Sequence, residues 1–124
     1  MINLLYFYDS SVICEYMVNN QNLFPYFEEH EGVVTLLVIM ETHFILLKKV
    51  SEDAADKALN MLFPLMVQPD KQLIKKAMKF RLDNAKIGFS YADALGYTYA
   101  KEHNMPFLTC DNAFRGLPNV VFVR

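Results

Sequence analysis

The sequence is short of several things that mark common protein classes. Among 124 residues there are two cysteines, Cys14 and Cys110, four glycines and no tryptophan. Two cysteines make neither a disulfide framework nor a structural zinc centre. Each stands in an apolar run, where a free thiol acts as a small hydrophobe, so a reducing compartment is expected. No His-x-x-x-His or Cys-x-x-Cys pair occurs, which removes the usual zinc-site spacings. No glycine-rich phosphate loop and no serine-centred elbow is present, which disfavours nucleotide-dependent phosphoryl transfer and α/β-hydrolase chemistry. No uncharged apolar stretch approaches the roughly 18 residues that span a bilayer. The opening Met1 to Asp9 has no basic segment ahead of its apolar run, so it does not read as a leader peptide. A soluble, cytoplasmic protein without a membrane partner is expected. An excess of either charge is also missing: 12 Lys+Arg face 14 Asp+Glu, a net charge of -2. That excludes a general basic coat for nucleic acid, though not a local patch.

What is present suffices for one core. At 53% hydrophobic and 14% aromatic, the chain supports a single domain over residues 1–124. Short apolar runs alternate with segments of helical period. Leu4 to Tyr8, Gly32 to Val34, Pro106 to Cys110 and Asn119 to Val123 read as strands, with Met66 to Gln68 as a short edge strand. Helices are expected from Ser10 or Ser11 to Asn19, from Thr35 to Lys49, from a capping box at Ser51-Glu52-Asp53-Ala54 to Leu65, from Asp70 to Asn84 and from Ser90 to His103. One further short helix is expected within Gln21 to Glu31. Strands alternating with helices imply an α/β fold around a mainly parallel sheet of four to five strands.

Most of the acids have an ordinary explanation as solvated surface charges; Asp53, for example, has Lys57 at i+4. Four do not. Glu41 lies in an apolar helical segment, with Leu37, Val38, Phe44 and Ile45 as its i±3 and i±4 neighbours. Unless that edge is open to water or an ion pair comes from elsewhere, such a carboxylate must protonate or bind a cation. Asp9 and Asp111 each directly follow a strand, at the sheet edge where open α/β folds bind ligands. Each also reads as an ordinary turn or cap residue. Asp93 fits the capping box Ser90-Tyr91-Ala92-Asp93 and projects from the same edge. Converging carboxylates raise one another's pKa, and the usual remedy is a hard divalent cation such as Mg²⁺ or Mn²⁺. On such a site the natural chemistry is hydrolysis at phosphate. His43, two residues from Glu41, points about 200° away around a helix and offers no rival ligand.

These residues resemble a known family. Tyr8-Asp9-Ser10-Ser11-Val12-Ile13 resembles the strand-Asp-Ser/Thr-helix opening of PIN-domain nucleases. Met40-Glu41 is similar to the second acid of that family, and Phe89-Ser90-Tyr91-Ala92-Asp93-Ala94-Leu95 to the third. Pro106-Phe107-Leu108-Thr109-Cys110-Asp111-Asn112-Ala113-Phe114 resembles the Leu-Thr-x-Asp-x-x-Phe strand end. The resemblance covers both ends of the chain and, between Lys48 and Lys86, only helical character. It implies a three-layer α/β/α sandwich, a single PIN domain similar to VapC-type toxins, and metal-dependent RNA cleavage. It also implies a homodimer and a small antitoxin protein as partner. Asp9, Glu41, Asp93 and Asp111 become the metal-holding and catalytic set, with Ser11, Thr109 and Asn112 as supporting polar residues. Many members carry another acid just after the fourth; here Asn112, Ala113 and Arg115 follow Asp111, so a second metal is expected to be weakly held or absent until substrate arrives. A housekeeping nuclease of RNA processing, or a PIN-fold binding module without catalysis, shares the same pattern.

Half of the twelve cations lie between Lys71 and Lys86. Lys71, Lys75 and Lys79 form one helical stripe, which reads first as a solvated face and second as a phosphate-tracking surface. Arg115, four residues past Asp111, is the better-placed single candidate for a phosphate contact. The run Met61 to Val67 is more apolar than one helix face needs, and its excess is expected at a subunit or partner surface.

Overall fold

In the computed structural model, which describes residues 3–124, four short strands form one parallel sheet. They are β1 (Leu5–Tyr8), β2 (Glu31–Val33), β3 (Phe107–Thr109) and β4 (Val120–Phe122), in the order β2-β1-β3-β4. Six helices accompany them: α1 (Ser10–Met17), α2 (Phe24–Glu28), α3 (Leu36–Lys49), α4 (Glu52–Leu62), α5 (Lys71–Asp83) and α6 (Tyr91–Glu102). This is the α/β/α arrangement expected. Met1 and Ile2, the start of the segment read as lacking a leader's basic region, lie outside the described residues. Among the described residues no helix is long and apolar enough to cross a membrane.

The order of the strands positions the site. From β1 the chain crosses to β2 on one side, then returns through four helices to β3 on the other side of β1. The order therefore reverses at β1, and the carboxyl ends of β1 and β3 flank the crevice where ligands bind in such sheets. Asp9 follows β1 and Asp111 follows two residues after the end of β3.

Each element has a local cause. Phe7 and Tyr8 on β1 and Phe107 and Leu108 on β3 are almost fully buried, because helices cover both sheet faces. Phe107 stacks on Phe7 at 5.7 Å and meets Phe114 at 4.6 Å, and Phe89 stacks on Phe114 at 4.8 Å. Thr35 starts α3 by accepting the Val38 N–H, and Asp70 starts α5 by accepting that of Leu73. α6 comes so close to β1 that a Cβ on Gly96 would lie 2.6 Å from the Phe7 ring.

Several expected elements are trimmed or changed. The fifth strand at Met66 to Gln68 shrinks to a single bridge between Val34 and Met66, so the sheet has four strands. The capping box at Ser51 is only half formed: Ser51 accepts the Ala54 N–H, but Ala54 itself has no side-chain acceptor to return the bond. α4 ends at Leu62, and the three residues around Pro64 tighten into a 3₁₀ turn. Neither Ser10 nor Ser11 caps α1. Asp9 occupies the cap position, and both serines lie within the helix.

Candidate metal centre

Three of the four acids singled out by the sequence meet. Asp9, Glu41 and Asp93 each offer a carboxylate oxygen, and the three atoms lie within 4.8 Å of one another. They arrive on three elements: Asp9 at the junction of β1 and α1, Glu41 from the middle of α3, and Asp93 from the first turn of α6. The packing of α1 and α6 against α3 closes the triangle.

Asp9 is 3% exposed. Its Oδ2 accepts the hydroxyls of Ser11 and Thr109, both at 2.7 Å. The protons of these hydroxyls are directed by their other bonds. Ser11 Oγ accepts the Cys110 N–H and Thr109 Oγ1 accepts the Asp111 N–H, both at 2.9 Å. A backbone N–H can only donate, so each hydroxyl turns its own proton to the carboxylate. The same bonds tie the end of β3 to the start of α1. Burial pushes the Asp9 carboxyl up to about 7; the two hydroxyls oppose that, and Asp93 and Glu41 add to it.

Glu41 is neither ion-paired nor surrounded only by apolar groups, as its helix neighbours alone suggest. Ser10 donates to its Oε1 at 2.6 Å and Ser90 to its Oε2 at 3.3 Å. Asp93 closes the expected capping box: its Oδ2 accepts the Ser90 N–H, while Ser90 Oγ accepts the Asp93 N–H. Burial raises the Asp93 pKa, the Ser90 N–H opposes it, and the charges of Glu41 and Asp111 raise it further. Ser10 and Ser90 were legible only as helix-start residues. A cap hydroxyl that accepts from the helix keeps a proton of its own, and that proton needs an acceptor nearby; this is the signal that links Ser90 to Glu41.

Asp111 stands beside the cluster but outside the three-oxygen group. Its charge reaches Asp93, while its Oδ1 accepts the Ala113 N–H and starts a 3₁₀ turn. Asn112 is exposed in that turn. Ser11, Cys110, Asn112 and Arg115 line one cleft of about 700 Å³, together with Glu15 and Lys49. Lys75 and Lys79 are exposed on α5, and Lys79 lies 4.0 Å from Asp83. Neither lysine contacts the carboxylates.

The donors fit a hard divalent cation. All three are carboxylates, and among the described residues no lysine, arginine or histidine forms an ion pair with them. His43 pairs with Asp56 at 3.0 Å, His30 accepts the Leu4 N–H, and His103 lies 2.8 Å from the Tyr99 carbonyl. Burial pushes the Cys14 and Cys110 thiols up to about 11, so neither offers a thiolate at neutral pH. The fold and site define an α/β protein with a carboxylate centre at the reversal of its strand order.

The PIN domain family model matches residues 6–120. The chain belongs to the PIN-domain family. Among curated proteins no sequence matches it. Several solved structures share its fold. A toxin-antitoxin complex from Klebsiella pneumoniae is 17% identical, with a TM-score of 0.72 over 94% of this chain and 95% of that one. VapC20 of Mycobacterium tuberculosis, described as a sarcin-ricin loop cleaving toxin, is 14% identical, with a TM-score of 0.76 over 96% and 99%. VapBC-5 from the same organism is 17% identical, with a TM-score of 0.64 over 97% and 98%.

Proposed function

We propose that this chain is a metal-dependent endoribonuclease that hydrolyses RNA phosphodiester bonds as the toxin of a toxin–antitoxin pair. The observation that carries the reading is the meeting of Asp9, Glu41 and Asp93 within 4.8 Å at the β1/β3 crevice, with no ion pair to them among the described residues. The similar folds of toxin–antitoxin proteins, one of them described as cleaving the sarcin-ricin loop, support the substrate class and the small antitoxin partner.

Mg²⁺ or Mn²⁺, held by these three residues with Asp111 alongside, supplies Lewis acidity toward a phosphodiester and toward water. The protein's part is orientation. Ser11 and Thr109 fix Asp9 through one oxygen, and Ser10 and Ser90 fix Glu41 through both. The second oxygen of Asp9 accepts no hydrogen bond from the described residues. Arg115, in the cleft that begins at Ser11, contacts the RNA with Asn112 as a supporting polar residue beside it, and Lys75 and Lys79 extend the basic surface along α5. The homodimer that the resemblance implies needs apolar surface. Leu36, Met40, Phe44 and Leu47 supply it as an exposed row on α3, with Phe63 and Met66 from the apolar run nearby in sequence to α4.

The reading is tested by incubating the purified protein with single-stranded RNA in Mg²⁺ or Mn²⁺. Internal cleavage that stops with chelator and with Glu41→Gln is expected. Equal cleavage by a folded Glu41→Gln protein contradicts it.

A further inference from the structure

We propose that Arg81 and Arg115 are phosphate-binding positions of the RNA path, one beside the Ser90 side of the carboxylate cluster and one beside the Ser11 side. The proposal rests on the nuclease reading above and extends it to a residue, Arg81, that the sequence shows only as one cation among many on α5.

The two side chains are held in the same way. The Arg81 guanidinium lies over the Tyr91 ring, with Cζ 4.3 Å from its centroid. That of Arg115 lies over the Phe122 ring at 4.5 Å. Arg81 also donates its Nε–H to the Phe89 carbonyl at 2.9 Å. Phe89 and Tyr91 flank Ser90, whose hydroxyl donates to Glu41 and whose N–H donates to Asp93. Arg115 lines the cleft that Ser11 and Cys110 also line, and Ser11 donates to Asp9. Arg81 is therefore bonded to the residue before Ser90, and Arg115 shares a cleft with Ser11.

Among the described residues neither arginine forms an ion pair. The ion pairs among the described residues use Lys57, Lys76, Lys79 and His43. An arginine free to swing would pair with whatever carboxylate it could reach. A guanidinium held on a ring face is restrained from doing so, and the Nη–H donors that Arg81 keeps beyond its Nε–H bond to Phe89 stay available in the plane of the fork. The consequence is a separation of charge: the carboxylates stay without a protein cation, and the guanidinium forks stay without a protein anion. A polyanion crossing a metal-loaded centre satisfies both, because phosphates accept the planar fork in bidentate fashion.

The test is binding without catalysis. A fluorescein-labelled single-stranded RNA 12-mer is titrated in EDTA with wild-type protein, Arg81→Gln, Arg115→Gln, the double variant and the corresponding Arg→Lys variants, over a range of NaCl. Lys57→Gln, on the outer face of α4, is the control. Each Gln variant is expected to weaken binding about tenfold. The double variant is expected to lower the log–log salt slope by about 1.4, at about 0.7 per phosphate contact on a single strand. Arg→Lys variants keep the slope, because the charge remains, but lose affinity with the fork. A purely structural Arg81 would lower thermal stability or Mn²⁺ affinity and leave the slope unchanged; that result overturns its role. Wild-type affinity and slope in the double variant, or no metal-free binding by wild type, overturn the whole proposal. Failure of the wild type to cleave RNA in Mn²⁺ strikes the nuclease reading instead and leaves the binding comparison intact.

Discussion

Two helices of this molecule begin on an aspartate, and the two aspartates behave differently. Asp70, ahead of α5, is exposed and accepts the Leu73 N–H at 2.8 Å. Asp9, ahead of α1, has a similarly extended backbone, φ -72° and ψ 152° against -88° and 178°, yet its side chain accepts no backbone N–H of the helix it starts. Its Oδ2 faces the hydroxyls of Ser11 and Thr109 instead, and it is buried beside two other carboxylates. One aspartate satisfies a helix end; the other leaves that end unsatisfied by its side chain and is held for something else. Between these two helix starts, the forgone cap bond and the burial mark Asp9 as the carboxylate kept for a ligand, whereas Asp93 joins the cluster while still closing its capping box.

The sharpest way to break this contrast is Asp9→Asn. Cleavage should fall at least about a hundredfold, while the melting temperature of the metal-free protein rises. The amide oxygen can take over both hydroxyl bonds, and the buried charge is gone. Calorimetry beside an RNA cleavage assay checks both halves, and a variant that melts lower and still cleaves removes the distinction.

A second effect concerns pH. The Asp9 carboxyl titrates at about 7 in the folded chain, against an ordinary value of 3.8. Between those values the folded state holds a proton that the unfolded state has released. Metal-free stability therefore falls as pH rises from about 4 to about 7 and then levels off. Burial of Asp93 acts in the same direction. Melting curves across that range in chelator should show this slope, and Asp9→Asn should flatten most of it.

Asp111→Asn gives a smaller change. An asparagine can still cap the 3₁₀ turn through its carbonyl oxygen, so folding is preserved while one negative charge beside the cluster is lost. Its cleavage rate should lie between wild type and any substitution of the three clustered acids. The smallest effect on activity belongs to Asp70→Ala. Loss of that cap should cost about 1 kcal/mol, or roughly 3–5 °C in melting temperature, with cleavage unchanged.

Local features of the chain foretell much of this arrangement. Four short apolar runs identify the four strands, and Asp9 and Asp111 declare themselves by following two of them. Glu41 stands out because its helical neighbours are apolar, and Asp93 because it completes a capping box with Ser90. What the linear pattern hides is long-range. Ser10 meets Glu41 across 31 positions and Thr109 meets Asp9 across 100, and no periodicity encodes such pairs. The same limit separates Asp111 from the other acids: its place after β3 is legible, but not the choice of its Oδ1 to cap a turn. Met66 to Gln68 has strand composition, yet only one residue finds a partner. Arg81 looks like any other cation on α5 until Tyr91 is seen beneath it.

Asp9, Glu41 and Asp93, if they act as one divalent-cation site, must bind or lose the ion together. Isothermal titration of Mn²⁺ into wild type, Asp9→Asn and Asp70→Ala at neutral pH tests this most directly. Saturable binding is expected in wild type and Asp70→Ala, and its loss in Asp9→Asn. Equal Mn²⁺ affinity in all three proteins would contradict it.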